Sequence, residues 1–510
     1  MIKKLIKEIP FALLIHRSLK NFNNMFNLLL IKILNFFKLK IHGVLLYSKI
    51  NQEPKIIEYI ISKSLYKNNK KLLKLIKKAI YYQSKKLSNL ENNFQKIDEY
   101  FFLGRLFFYY GNNKNFLKYI SKSESLKIKL KNKSKFKNLD EVFLPRNTIH
   151  VLGLIGHLDG ILKYFILNNI KTKLNLIGDN KTNVNSYFFS LYEKYINFIN
   201  IETVNETVLE KEKYLLKEVH WVLPNKQNKL QICHKTIANS VSEWRKKNLK
   251  PLIEIPKNDR KDFLKFKKAM NIPNNSKLIC LHIRTDKYHM NHNKNADRYR
   301  NSELHTYLPA INYINSLGYY VVRLGERLED NDYFQKLKHK EMFIDYPSSQ
   351  FKSGKMDLIL SNEAIFFIAT DSGPHWYAGS LSKNLCLINS PFKDGFPYYS
   401  KTIFLPLRYK MNGNEIHYSQ ILKSYTNCHF DWQFDKNSIK IEKNNSFDIQ
   451  KTIEEAFFEN NLIDSYNYKN LKQLKSDRKK FSKLSNFYNR SIFSKPSEVY
   501  FNRTRLNRTI

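Results

Sequence analysis

The stretch AIFFIATDSGPHWYAGSLSKNLCLIN (364–389) constrains the fold of this chain more than any other. An apolar run too short for a core helix is followed by a turn containing Gly373 and Pro374, a helix of small residues, and a second apolar run. Strand, turn, helix and strand in that order make a βαβ crossover. Its strands must lie parallel, with the helix covering one face of the sheet.

The same grammar recurs. LICLHIR (278–284) reads as a strand, SELHTYLPAINYINSLGYY (302–320) as a helix stopped by Gly318, and YYVVRLGE (319–326) as the next strand. A further helix is expected near Asp357. Earlier, NTIHVLGLIGHLDGILKYFILNNI (147–170) reads as a strand, a turn carrying Gly156, His157, Asp159 and Gly160, and a helix. KTKLNLIGDN (171–180) supplies a strand, SYFFSLYEKYI (186–196) a helix, and FINIE (198–202) a third strand. Two such series, joined around Pro251–Pro273, predict an α/β fold with two Rossmann-like lobes: 146–255 and 256–430. In 431–510 the helix KTIEEAFFENNLI (451–463) is expected to pack back on the lobes. The basic tail LSNFYNRSIFSKPSEVYFNRTRLNRTI is expected on a membrane surface or disordered.

Residues 1–145 read as a helical region. In YFFLGRLFFYYGNNKNFLKYISKS (100–123), Tyr100, Leu103, Gly104, Phe107, Gly111, Phe116 and Ile120 recur at the offsets of a tetratricopeptide-like helix pair. There Gly104 would let two helices approach closely. LKIKLKNKSKFKNLDE (126–141) follows as a charged linker. The first 50 residues carry Lys3, Lys4, Lys7, Arg17, Lys20, Lys32, Lys38, Lys40 and Lys49 against the single acid Glu8. The apolar runs between them are too interrupted to span a bilayer, and no cleavage site of a secretory signal follows. Basic charge beside Leu, Ile and Phe suits a helix lying on an anionic membrane surface, or one packed on the next domain.

The formal net charge of +42 fits drift toward Lys, Asn, Ile and Tyr, and also attraction to anionic partners. Four separated cysteines (Cys233, Cys280, Cys386, Cys428) with no CxxC pair argue against a zinc site and a disulfide framework, and fit a reducing cytosol. The lysines are spread along the chain and no nucleic-acid-binding signature is present, so nucleic acid is not expected as a partner.

In parallel sheets, ligands bind at the carboxyl ends of strands. His282 and Arg284 end one strand, where a guanidinium fork suits a diphosphate. Thr370, Asp371, Ser372, Gly373 and His375 end another, with backbone amides at a helix start as a phosphate seat. Arg300 in NADRYRNS and Arg323 in YYVVRLGE are further candidates for donor phosphate or base. The glycine fingerprint of a dinucleotide fold is absent, so NAD is not expected. Asp330-Asn331-Asp332 is a literal DxD, but its setting reads as a solvated helix start, and neither metal nor other cofactor is expected.

TDSGPHWYAGSL resembles the donor-site turn of heptosyltransferases, in which a T/N-D-S-G-P-x-H run precedes a small-residue helix; the intervening residue is missing, so Pro374 meets His375. HIRTD resembles the His-x-Arg motif of fucosyltransferases that use GDP-fucose, with Thr285 in place of the second Arg. The spans 251–288, 298–326 and 344–374 are similar to bacterial glycosyltransferases associated with surface-polysaccharide gene clusters, over roughly residues 145–425. This resemblance implies the two-lobed GT-B architecture, acceptor on the first lobe and nucleotide-sugar donor on the second. It also implies a glycan or lipid-linked acceptor, and the basic first 50 residues add the expectation of a cytoplasmic enzyme, peripheral on the inner face of the membrane. His157 and Asp159 are then candidates to take the acceptor's proton, and the lack of a late Glu-x7-Glu pair favours inversion. Two other classes fit the composition: a nucleic-acid-binding protein, and a non-catalytic scaffold that binds nucleotide or glycan.

Overall fold

The computed structural model describes residues 69–132, 142–144, 152–170, 174–178, 184–200, 222–224, 230–285, 298–328, 335–392, 401–426, 428 and 431–506. The first 50 residues and Asp330-Asn331-Asp332 lie outside the described residues.

Among the described residues, three helices come first: α1 (Asn69–Ser88), α2 (Asn93–Tyr110) and α3 (Asn113–Asn132). Leu72, Ile76, Ala79, Ile97, Leu103, Leu106 and Ile120 form their buried seam. A Cβ on Gly104 would lie 2.8 Å from Ile120 Cδ1, so the glycine permits the close approach of α2 and α3 that its spacing predicts. α3 runs on through the first half of the expected linker.

The first lobe contains a parallel sheet, β1-β2-β3, of β1 (Val142–Leu144), β2 (Leu174–Gly178) and β3 (Ile196–Asn200). Helix α4 (Leu152–Leu167) lies between β1 and β2, and α5 (Ser186–Ser190) between β2 and β3. A hairpin of β4 (Val222–Pro224) and β5 (Leu230–Ile232) leads into α6 (Cys233–Lys246). One expectation is corrected here. Gly156, His157, Asp159 and Gly160 do not form a turn; all four lie inside α4. The glycines serve packing instead: a Cβ at Gly160 would come within 2.3 Å of Ile237 in α6, and one at Gly156 within 2.3 Å of the Trp376 ring in the second lobe.

Helix α7 (Lys261–Ala269) opens the second lobe, whose elements are β6 (Leu278–His282), α8 (Leu308–Ser316), β7 (Tyr320–Leu324), β8 (Phe343–Ile344), α9 (Gly354–Glu363), β9 (Phe366–Thr370), α10 (His375–Ser380), β10 (Leu385–Ser390) and β11 (Ile403–Pro406). Then follow the antiparallel β12 (Arg408–Met411) and β13 (Asn414–Glu415), α11 (Tyr418–Ser424), α12 (Asp431–Lys436), and β14 (Lys440–Glu442), which pairs back on β12. The chain closes with α13 (Ser446–Glu459), α14 (Leu471–Phe487), β15 (Lys495–Pro496) and α15 (Glu498–Leu506).

The main sheet has the order β15-β11-β10-β9-β6-β7-β8, and every neighbouring pair is parallel. β6, β9 and β10 are buried at every position, as expected of strands covered on both faces. The chain moves outward from β6 to β8, then crosses back to continue from β9 on the other side. The strand order therefore reverses between β6 and β9, the place where such sheets open a crevice at their carboxyl ends. Gly318, at φ +83°, ends the turn after α8 as its position predicts.

The C-terminal segment corrects a second expectation. It is no loose tail: Lys495–Pro496 adds an edge strand beside β11, and Tyr500 and Phe501 of α15 are buried in the core. α12 ties the helical region to the second lobe. Trp432 Nε1 donates to the Tyr109 carbonyl (3.0 Å), Gln433 Nε2 to that of Phe108 (2.7 Å) and Lys436 Nζ to that of Tyr110 (3.1 Å). These are C-terminal carbonyls of α2, which lack partners within their own helix.

Candidate functional site

The side chains singled out at the ends of β6 and β9 meet at the reversal point. His282 is the last residue of β6 and is paired in register with Ala369 of β9. Its Nδ1 lies 2.9 Å from Ser372 Oγ. Two residues on, the Arg284 backbone N–H donates to Thr370 Oγ1 at 2.9 Å. Each strand end thus holds the other through one hydroxyl. His282, Arg284, Thr370 and Asp371 are all buried.

Asp371 accepts from Arg300 Nη1 at 3.4 Å, which brings the Arg298–Arg300 turn against the end of β9. The Ser302 backbone N–H donates to the Arg284 carbonyl at 2.8 Å. Six of the nine candidate donor residues (His282, Arg284, Arg300, Thr370, Asp371 and Ser372) therefore form one connected group.

The electrostatics of His282 differ from what a phosphate ligand needs. Burial, then the positive charges of Arg323, His375, Lys352 and Arg284, push its pKa down to about 3. It is a neutral imidazole at physiological pH. Its contact ties the end of β6 to the Ser372 turn.

Two candidates are held by internal partners. Arg323 faces the interior of the sheet, is 1% exposed, pairs through Nε with Asp345 and donates from Nη1 to the Glu326 carbonyl at 2.9 Å. This ion pair bridges β7 to the Asp345 turn, and the Arg323 charge is near enough to His282 to lower the pKa of that imidazole. Asp159 is 1% exposed; Lys163 Nζ lies 2.6 Å from its Oδ2 and the Tyr192 hydroxyl 3.2 Å from its Oδ1. Burial raises its pKa, against the pull of Lys163. One oxygen is thus paired within α4 and the other meets Tyr192 in the turn that follows α5, on the buried side of the helix. His157, on another side of α4, is half-buried with its ring edge-on to Trp376 at 5.1 Å.

The first lobe closes over this edge. A Cβ on Gly373 would lie 2.9 Å from Leu152 Cβ at the start of α4. Gly373 does not have a positive φ, so its value here is the close approach of α4 and not the freedom of a left-handed turn. Pro374 precedes α10 as expected, and His375, buried, stacks on Trp376 at 5.3 Å. Asn185, the N-cap of α5, reaches across to the Gly354 carbonyl (3.1 Å) and the Tyr377 hydroxyl (2.9 Å). Arg245 of α6 donates to the Lys383 carbonyl at 2.9 Å. None of these crossings was legible as a motif. Asn185 carries only the generic signal of a helix N-cap.

Among the described residues no group of three or more His, Cys, Asp or Glu is arranged to hold a metal ion, and no helix is long and apolar enough to cross a membrane. A depression of roughly 190 Å³ lies between α7 and α9, lined by Asp262, Phe351, Lys355 and Ile359 among others. It holds none of the strand-end residues.

No protein-family model matches the chain, and no curated protein matches it. Among solved structures it is similar to the ADP-heptose lipopolysaccharide heptosyltransferase II of E. coli, at 10% identity and a TM-score of 0.38 over 63% of this chain and 99% of that one. It is also similar to a glycosyl transferase family 9 protein from Veillonella parvula, at 15% identity and a TM-score of 0.35 over 52% and 85%. A third similarity is to an E. coli heptosyltransferase crystallised with ADP, at 9% identity and a TM-score of 0.31 over 63% and 100%.

Proposed function

We propose that the chain is a glycosyltransferase that moves a sugar from a nucleotide-diphosphate donor to a cell-surface glycan or glycolipid. One observation carries the reading. The ends of β6 and β9, adjacent at the reversal point of an all-parallel sheet, are joined by the Arg284–Thr370 and His282–Ser372 contacts, directly beneath the first lobe at Leu152. Ligands of folds of this class bind at this edge of the sheet.

In this reading Arg284 meets the diphosphate, and Arg300 adds charge from the neighbouring turn. As the glycosidic bond to the nucleotide breaks, negative charge grows on the leaving phosphate. A preorganised guanidinium and the amides of residues 372–373 stabilise it without metal. His157 takes the proton of the attacking acceptor hydroxyl from the first-lobe side, and direct attack inverts the anomeric centre. The enzyme works in the cytoplasm, held to the inner face of the membrane by its first 50 residues, near lipid-linked acceptors.

Calorimetry with nucleoside diphosphates and the matching nucleosides tests the site. ADP and GDP come first, the nucleotides suggested by the heptosyltransferase-like turn and the His-x-Arg motif. Arg284→Ala should weaken diphosphate binding by about 1.5–3 kcal/mol, roughly ten- to a hundredfold or more, and spare the nucleoside. Arg284→Lys should recover little, since a point charge does not replace the fork. Equal loss for both ligands would make Arg284 a structural residue and sink the proposal.

A further inference from the structure

A buried polar chain leads away from Arg284. The Ser302 N–H holds the Arg284 carbonyl at 2.8 Å, and Asn389 Nδ2 donates to Ser302 Oγ at 2.9 Å. Asn389 Oδ1 accepts from the Asn444 backbone N–H at 2.9 Å and from Asn444 Nδ2 at 2.7 Å. Asn444 Nδ2 also donates to the Pro406 carbonyl at 2.9 Å, and Asn444 Oδ1 accepts from Arg503 Nη1 of α15 at 2.7 Å. Arg503 is held in turn by Glu415 and Asp448. Ser302, Asn389 and Asn444 are 4%, 1% and 2% exposed.

Asn389 is unusual in two further ways. Its φ is +51°, the left-handed region that residues other than glycine seldom enter, though asparagine tolerates it best. The β10–β11 register also shifts between Ile388 and Ser390, so Asn389 is the extra residue of a bulge. Bulges at the ends of strands re-aim a side chain, and backbone strain of this kind concentrates at functional sites. Here the bulge turns a carboxamide toward Ser302 inside a strand that otherwise buries Leu385, Cys386, Leu387 and Ile388. Fully bonded buried polar networks cost more than apolar packing, and what they add is a fixed geometry.

We propose that Asn389 is a positioning residue of the donor site. Its carboxamide holds Ser302, whose backbone N–H grips the carbonyl of Arg284, so the guanidinium-bearing end of β6 is set by β10. Through Asn444 and Arg503 it is set by the last helix as well. The inference rests on the reading of the β6–β9 edge as a diphosphate site.

The test uses the full chain and calorimetry with ADP, GDP and UDP, each beside its nucleoside. Ser302→Ala removes only the hydroxyl. Asn389→Gly removes the carboxamide but leaves the left-handed backbone accessible, which guards against simple misfolding. Each should weaken diphosphate binding by about two- to tenfold, the worth of one neutral hydrogen bond, and leave the nucleoside unchanged. Added to Arg284→Ala, neither should cause further loss, because both act through that residue. A lower unfolding midpoint with an unchanged ratio of diphosphate to nucleoside affinity overturns the positioning role alone. So does full additivity with Arg284→Ala. If Arg284→Ala itself produces no diphosphate-selective loss, the donor-site reading falls, and the positioning role falls with it.

Discussion

His282→Asn should make the protein less sensitive to acid. In the wild type the imidazole is 5% exposed and faces Arg323, His375, Lys352 and Arg284, and its pKa falls from 6.5 to about 3. The folded value lies below the unfolded one. As pH drops below 6.5 the unfolded chain therefore takes up a proton that the folded protein refuses, and stability is lost from there down toward pH 3. One pKa unit corresponds to about 1.36 kcal/mol, so falling from pH 6.5 to 5.0 costs about 2 kcal/mol through this residue, as an order of magnitude. Asparagine keeps an acceptor near the Nδ1 position for Ser372 and cannot charge. Urea unfolding followed by tryptophan fluorescence, at constant ionic strength and at pH 7.5, 6.5, 5.5 and 5.0, measures the effect. The variant should be the weaker protein at pH 7.5, by about 1 kcal/mol of lost packing, and should gain on the wild type by about 2 kcal/mol by pH 5.0. Histidines remote from His282 cancel in the difference. Parallel pH profiles for the two proteins would refute the reasoning, because they would mean His282 takes its proton as readily folded as unfolded.

Two further outcomes follow from the geometry. Gly156→Ala drives a methyl to within 2.3 Å of the Trp376 ring carbons, so the lobe contact must open or the indole must move; a destabilisation of about 1–3 kcal/mol is expected in equilibrium unfolding, and a neutral result would mean the lobes do not dock through this pair. Removing residues 1–50 should shift the protein from the bound to the free fraction in flotation with anionic vesicles, and unchanged flotation would refute a membrane role for that segment.

Much of the second lobe was legible because its signals are local. β6, β7, β9 and β10 are short apolar runs bounded by Gly, Pro or charge, and each lies where its run predicts. The pairing of the His282 and Ser372 segments followed from parallel topology, which puts all carboxyl ends on one edge. The first-lobe motif misled for a physical reason. Glycine marks both turns and close helix contacts, and GHLDG (156–160) has the i, i+4 spacing of the second kind. Reading that spacing as helical would have put Asp159 on a different face from His157. The C-terminal tail misled because its basic, polar composition hides single anchors: Tyr500, Phe501 and Arg503 are enough to seat α15.

The sequence by itself determined the parallel sheet, most element types of the second lobe and which residues stand at its strand ends, since these depend on hydrophobic period and turn residues within a few positions. Tertiary structure alone decided which groups the charged side chains meet there. Arg323 and Arg284 both stand at the ends of apolar runs and both are buried, yet the first pairs with Asp345 while the backbone of the second bonds Thr370 at the β6–β9 edge. Likewise nothing near Asn389 in sequence announces Ser302 or Asn444, 87 and 55 residues away. A side chain's charge state and partners depend on what the fold brings against it, and those neighbours come from distant parts of the chain.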